Sequence, residues 1–281
     1  MKLASYILDG ATWGVIEEDI AIHVGQVLKP AYPDLKSMIA AHAFEEAAAA
    51  IGSSPRSPIA ALNWLPVIPN PDKIFCVGLN YETHRKETGR IEVQHPTIFA
   101  RFANTQTAHL APIVRPRVST DLDFEGELAI VIGKAGRAID RASALNHVAG
   151  YACYNDASVR DWQHHTHQFT PGKNFPGTGA FGPWMITPDE LGETSQLRIS
   201  TRLNGEVVQD SRLGQMIFDI PTIIEYCSAF NPLEAGDVIL TGTPGGVGVK
   251  RIPPLWMKPG DVVEVEIERL GTLRNTVADE E

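Results

Sequence analysis

The sequence contains no apolar run approaching the roughly 18 residues that cross a bilayer as a helix. Its first residues, Met1-Lys2-Leu3-Ala4, lead into strand-like sequence carrying Asp9, Glu17, Glu18 and Asp19, unlike a signal peptide. Cysteine is scarce. Cys76, Cys153 and Cys227 are odd in number, widely spaced and form no Cys-x-x-Cys pair. This excludes a disulfide framework, and a reducing compartment, the cytoplasm, is expected. Each thiol then reads as a small buried apolar side chain. Basic residues are few as well: 24 Lys and Arg stand against 34 Asp and Glu, a net charge of −10. Nucleic acid and membrane surfaces are not expected partners, because phosphate recognition needs a concentrated basic surface. Small anions are still possible substrates, since they respond to the local field of a cleft.

The composition is otherwise that of a folded chain, with 43% hydrophobic and 21% charged residues. At 281 residues the prior is one large domain or one with a small partner. Residues 1–68 read as a small N-terminal domain and residues 69–281 as the main one. In the first, strand patterns occupy residues 4–8, 12–16 and 20–24. A helix is expected over 34–51, with Asp34 as N-cap and Gly52 as its stop. Residues 52–58 and 66–72 read as loops.

The main domain is strand-rich. Strands are expected at 74–77, 127–133 and 238–242, and a hairpin turns at Asn204-Gly205. In 262–268, Val263, Val265 and Ile267 alternate with Glu264, Glu266 and Glu268. A helix spans 219–230, with Pro221 in its first turn. Strands and helices do not alternate as in a doubly wound sheet. The class is α+β, predominantly β.

Five segments could carry chemistry. In Asp121-Leu122-Asp123-Phe124-Glu125-Gly126-Glu127, residues two apart share a strand face, so Asp123, Glu125 and Glu127 are expected to line up. A divalent cation would offset their repulsion, and oxygen donors suit Mg²⁺, Mn²⁺ or Ca²⁺. An exposed acidic strand end is the plainer alternative. Asp156, in Tyr154-Asn155-Asp156-Ala157-Ser158-Val159-Arg160-Asp161-Trp162-Gln163, could complete a three-carboxylate site, and Arg160 could hold an anion. Otherwise the segment is a helix cap followed by surface charges.

After Gly78-Leu79-Asn80-Tyr81, His84 and Glu87 lie one helical turn apart, as a general base and its orienting carboxylate would, or as a surface ion pair would. Lys173 sits in a Gly- and Pro-rich stretch, near backbone donors that suit an anion. The stretch Thr241-Gly242-Thr243-Pro244-Gly245-Gly246-Val247-Gly248 allows close backbone approach to a ligand. It is neither a dinucleotide fingerprint nor a Walker loop. His164, His165 and His167 lack a second ligand set at zinc spacing and read as a polar loop.

In this order the segments resemble the fumarylacetoacetate hydrolase family over about residues 73–277: Gly-Leu-Asn-Tyr-x-x-His-x-x-Glu, Asp-Phe-Glu-Gly-Glu-Leu, Asn-Asp-x-Ser-x-Arg-Asp, Gly-Lys-Asn-Phe and Thr-Gly-Thr-Pro-x-Gly-Val-Gly. The resemblance implies a mixed β-sandwich roll behind a small α/β N-terminal domain, and a homodimer. It implies Mg²⁺, Mn²⁺ or Ca²⁺ held by Glu125, Glu127 and Asp156. His84, Glu87 and Lys173 become the catalytic residues, the first two on a mobile lid taken as reaching over residues 86–97. Tyr81, Arg160, Gln163 and Thr243 become substrate contacts. Apart from the resemblance, Trp162, Phe169, Phe175, Trp184 and the histidine run are candidates to line an acyl pocket.

Two positions depart from the family pattern: Pro176 where an aspartate is frequent, and Arg101 where a lysine is common. The implied activity is metal-dependent hydrolysis of a carbon–carbon bond in a 2,4-dioxo acid of acylpyruvate or fumarylpyruvate type, through a metal-bound enolate, in catabolism of aromatic or related compounds. The same residues would serve a hydroxymuconate-type isomerase, an oxaloacetate decarboxylase or a hydratase. A metal- and 2-oxo-acid-binding protein without turnover is the reading from another class, and the base pair beside a lysine argues against it.

Overall fold

A computed structural model describes residues 1–89, 91 and 94–281. Arg90, Glu92 and Val93, which fall within the expected lid, lie outside the described residues. Among the described residues no helix is long and apolar enough to cross a membrane.

Two sheets organise the chain. Among the described residues the larger has twelve strands. Its path runs Arg56–Pro58, Ile20–Ile22, Gly10–Glu17, Lys2–Leu8, Gly179–Ile186, Val148–Asp156, Gly126–Ile132, Val238–Leu240, Ile74–Gly78 and Thr97–Arg101. The N-terminal strands enter it through the antiparallel pairing of Leu3 with Met185. The smaller sheet orders Glu206–Arg212, Arg198–Leu203, Val262–Ile267, Gly271–Asp279 and Ile113–Arg115. The architecture is α+β and predominantly β.

Gly126–Ile132 is central and explains why its sequence is nearly all apolar: it is buried on both faces. Leu128, Ile130 and Ile132 share a core with Val263, Val265 and Ile267 of the smaller sheet. Ala129 and Val131 share another with Trp13, Leu35, Met38 and Ile39. The alternation is realised, with Val263, Val265 and Ile267 buried and Glu264 and Glu266 half-buried.

The hairpin turns where expected, with Asn204 (φ 53°) and Gly205 (φ 86°) both left-handed, as a two-residue turn of this kind requires. Ile220–Phe230 is helical, and the Asp219 side chain accepts from the Thr222 amide as N-cap. Asp219→Ala should cost about 1 kcal/mol, the usual cost of losing such a cap; a lowered thermal midpoint in a melting scan would show it. The three cysteines are free and buried.

The N-terminal helix differs from expectation. It is two helices, Leu35–Ala40 and Phe44–Ala50, separated at His42, whose φ of 54° is left-handed. Asp34 does cap the first, in a reciprocal box with Ser37. The chain then enters a 3₁₀ turn, Ile51–Ser53, with Gly52 inside it instead of stopping the helix. Within the expected linker, Arg56–Pro58 pairs with Ile20–Ile22 as a sheet edge.

Candidate active site

The site forms where two antiparallel neighbours end together. Gly126 pairs with Asn155 and Glu127 with Tyr154, while the Asp156 amide donates to the Glu125 carbonyl (2.8 Å). Residues opposite one another share a face, as do residues two apart on one strand. That register brings Glu125, Glu127 and Asp156 together, with one carboxylate oxygen of each within 4.8 Å of the others, all buried.

Asp123 does not join them, contrary to the lining-up expected from spacing. The ladder is interrupted after Asp123, whose short strand Leu122–Asp123 pairs with Ser158–Val159 in a separate sheet. Its carboxylate takes four donors: the amides of Phe124, Gly248 and Val249, and Arg160 Nε. Gly248 is required here, since a Cβ would fall 1.9 Å from the Leu255 carbonyl oxygen and 2.6 Å from Asp123 Oδ1.

Three buried cations face these acids. Lys173 Nζ lies 2.6 Å from Glu125 Oε2 and 2.6 Å from Asp156 Oδ2. Arg101, the departure from lysine, donates to Asp156 Oδ1 (2.5 Å) and Thr178 Oγ1 (2.6 Å). Arg160 Nη1 reaches Glu125 Oε1 (2.7 Å) and Gln163 Oε1 (2.8 Å), while its Nη2 is buried with no partner among the described residues.

Burial alone would raise the Glu125 carboxyl, but Lys173, Arg160 and His84 outweigh it and hold the group at about 2. Glu127 goes the other way: burial, then Asp156 and Glu125, push it well above the usual carboxylate range. Four buried carboxylates against Arg101, Arg160 and Lys173 leave a formal −1. One divalent cation held there would make that +1 and give an acidic protein a cleft that attracts an anion. The donor set is all hard oxygen, crowded and partly neutralised, and fits Mg²⁺, Mn²⁺ or Ca²⁺.

Glu82–Thr88 is helical, and its buried His84 accepts orientation from Glu87 through Nδ1···Oε1 at 2.7 Å. The other Glu87 oxygen accepts from the Gly246 amide (2.9 Å), tying this helix to the glycine loop. Glu127 Oε2 accepts from the Gly242 amide (2.7 Å). Gly242 has φ +99° and would place a Cβ 2.7 Å from Asn80 Cβ, so only glycine suits it. Asn80 locks the same turn, bonding the Thr241 and Phe218 carbonyls and the Phe218 amide.

A cavity of about 110 Å³ opens among these groups. His84, Glu125, Glu127, Arg160, Gln163, Lys173 and Thr243 all line it. Tyr81 is fully buried away from the lining, its hydroxyl without a partner among the described residues. The Thr243 hydroxyl already donates to the Gly126 carbonyl and accepts from Gln209 Nε2. Of the expected acyl-pocket residues, Phe169 and His164 line the cavity. Trp162 instead packs edge-on against Phe175, and Trp184 lies against Trp64.

Two residues were not singled out from sequence. Gln209 bridges the Gly126 amide, Thr243 Oγ1 and the Pro244 carbonyl, joining strand and loop. Lys250, on the turn after Gly248, stands at the cavity wall. Gln209 carries no local signal, because it acts across a distant pairing.

Residues 73–278 match the family model described as Fumarylacetoacetate (FAA) hydrolase C-terminal. A mitochondrial oxaloacetate tautomerase of Homo sapiens is 42% identical over 225 residues, covering 79% of this chain and 72% of that protein. Among solved structures, a fumarylacetoacetate hydrolase from Exiguobacterium antarcticum is 34% identical with a TM-score of 0.86, both chains fully covered. A maleylpyruvate hydrolase from Sphingobium sp. SYK-6, solved with manganese(II) and pyruvate, is 27% identical with a TM-score of 0.84, again with full coverage.

Proposed function

The chain belongs to the fumarylacetoacetate hydrolase family, and from that premise we propose that it is a divalent-metal-dependent tautomerase of small 2-oxo acids of the oxaloacetate type. The observation that carries this reading is the oriented His84–Glu87 pair on the wall of the cavity that also holds the carboxylate triad. The tautomerase named at 42% identity supports the choice of reaction over the carbon–carbon hydrolysis expected from sequence.

Glu125, Glu127 and Asp156 would hold the cation, which when bound supplies Lewis acidity to the 2-oxo acid function. Arg160 Nη2, the unpartnered donor, meets the substrate carboxylate. Lys173 adds positive charge beside the oxygen on which negative charge develops. His84 takes the proton from C3 and returns it to the C2 oxygen, so that keto becomes enol with no net loss of protons. Glu87 keeps the ring oriented and stabilises the imidazolium between the two transfers.

Hydrolysis is the second reading, favoured by the maleylpyruvate hydrolase solved with pyruvate. There His84 would take its proton from a water attacking the distal carbonyl. A panel of oxaloacetate, acetylpyruvate and a 2-hydroxymuconate-type diene separates the two, followed by ultraviolet absorbance with Mg²⁺ or EDTA and with pyruvate assayed independently. The expected result is metal-dependent equilibration of enol and keto oxaloacetate without pyruvate. Stoichiometric pyruvate from acetylpyruvate, with no tautomerase activity, would replace this reading with the hydrolase. Pyruvate from oxaloacetate would make the protein a decarboxylase.

A further inference from the structure

The two peptide units that join Glu125 to Glu127 are held by side chains from outside their own strand. Val238–Leu240 runs beside Gly126–Ile132 only at Ala129, Ile130 and Val131. The Thr241 amide then donates to the Leu128 carbonyl (3.0 Å), and the chain turns away as the glycine stretch. The pairing stops short of Gly126, whose buried amide and carbonyl on that side need other partners. Gln209 and Thr243 supply them. We propose that Gln209, acting with Thr243, is a positioning residue for the divalent cation. It sets how Glu125 and Glu127 present their carboxylates, and the Thr243 hydroxyl serves this frame instead of the substrate carboxylate. The inference rests on the reading of the carboxylate triad as a cation site.

The direction of every bond in this frame is fixed. The Gly126 amide can only donate, so it faces Gln209 Oε1 (3.0 Å). That turns Gln209 Nε2 toward Thr243 Oγ1 (2.8 Å) and the Pro244 carbonyl (2.8 Å), which uses both of its hydrogens. Thr243 Oγ1 accepts from Nε2 and gives its own proton to the Gly126 carbonyl (3.0 Å). No hydroxyl proton is left for a substrate carboxylate, which only accepts when ionised.

The frame spans the two sheets. Gln209 belongs to Glu206–Arg212 of the smaller sheet, and both it and Thr243 are buried. Gly126 permits this approach, since a Cβ there would fall 2.2 Å from Thr201 Oγ1. The same glycine stretch also bonds the Glu127 carboxylate through the Gly242 amide. Backbone and carboxylate of the acidic segment are therefore set against one loop, and Gln209 ties that loop to the strand. Partners that orient metal ligands in this way typically change metal affinity by about 10- to 100-fold when they are removed.

The test is Mn²⁺ affinity of the full chain, read by calorimetry without substrate, beside the thermal midpoint of the metal-free form. Gln209→Met keeps the length of the side chain and removes its hydrogen bonds, and should bind Mn²⁺ about 10- to 100-fold more weakly. Thr243→Val keeps the shape without the hydroxyl and should lose about tenfold, while Thr243→Ser, which keeps the hydroxyl, should stay within about twofold of the parent. With no substrate present, a hydroxyl that only met substrate would leave these values unmoved. Arg251→Met is the control. Arg251 donates to the Val208 carbonyl (2.6 Å) and the Gly246 carbonyl (3.1 Å), tying the same loop to the same strand without a bond to Gly126 or Thr243. Its loss should leave Mn²⁺ affinity within about twofold.

Parent-like Mn²⁺ affinity in either Gln209→Met or Thr243→Val would overturn the proposal. An equal loss in Arg251→Met would also overturn it, by showing that loop packing at large sets the affinity. Should Gln209→Met fail to fold, the contrast between Thr243→Val and Thr243→Ser decides alone. Failure of the parent to bind Mn²⁺ would sink the cation reading itself, and this inference with it.

Discussion

Glu127→Gln is expected to bind neither Mg²⁺ nor Mn²⁺ and to turn over no substrate, while its metal-free form is at least as stable as the metal-free parent. The side chain is buried, and burial, Asp156 and Glu125 together raise its pKa well above the usual carboxylate range. The folded state of the metal-free protein thus holds this proton more tightly than the unfolded chain does. Stability is then highest below the unfolded pKa and declines as pH rises through the folded one. Glutamine removes that decline and keeps an oxygen for the Gly242 amide, which now approaches Oε2 at 2.7 Å.

A cation reverses the balance in the parent, because it binds the carboxylate and displaces the proton. At a metal concentration a hundredfold above Kd, the parent should gain about 2.7 kcal/mol, and the variant nothing. The measurement is the thermal midpoint with and without EDTA across pH 5 to 8. A metal-dependent rise in the variant would remove Glu127 from the ligand set.

The carboxylate triad also shows where reading the sequence succeeds and where it stops. Period-two reasoning rightly placed Glu125 and Glu127 on one face but added Asp123, because spacing assumes an unbroken strand. The interruption after Asp123, and the four donors that occupy its carboxylate, belong to the tertiary pairing with Ser158–Val159 and the 248–249 turn. Asp156 reads from its own segment as a possible third carboxylate, but only the resemblance sets it with Glu125 and Glu127, since its approach depends on the register with Gly126–Ile132.

Local signals held where they were self-sufficient. Asn204-Gly205 can reach left-handed backbone unaided, and Asp219 caps its own helix. The 34–51 helix broke at His42 because alanine-rich periodicity carries no stop signal of its own. Reaction choice was the least legible, since proton transfer and hydrolysis call on the same His84, Glu87 and Lys173.

His84→Ala should lower kcat by roughly 100- to 10,000-fold, the usual contribution of a positioned general base, with metal affinity retained. Geometry separates the two effects. His84 reaches Glu87 through Nδ1, and its partner carboxylate is fixed in turn by the Gly246 amide. An ionised carboxylate only accepts, so the Nδ1 proton points to Glu87 and Nε2 is the nitrogen free to take a proton from substrate.

Glu87→Gln should lose activity less severely, because glutamine still offers an oxygen to Nδ1 but no charge to stabilise the imidazolium. The double variant should be no slower than His84→Ala alone, since Glu87 acts on the proton transfer only through the ring. The most direct readout is deuterium wash-in from solvent at C3 of oxaloacetate, which follows proton abstraction from that carbon in the tautomerase reaction. Parent-like wash-in by His84→Ala would assign the base to another residue and leave the helix Glu82–Thr88 a structural role only. Loss of wash-in with an unchanged metal-induced shift in thermal midpoint would fix His84 as the proton carrier.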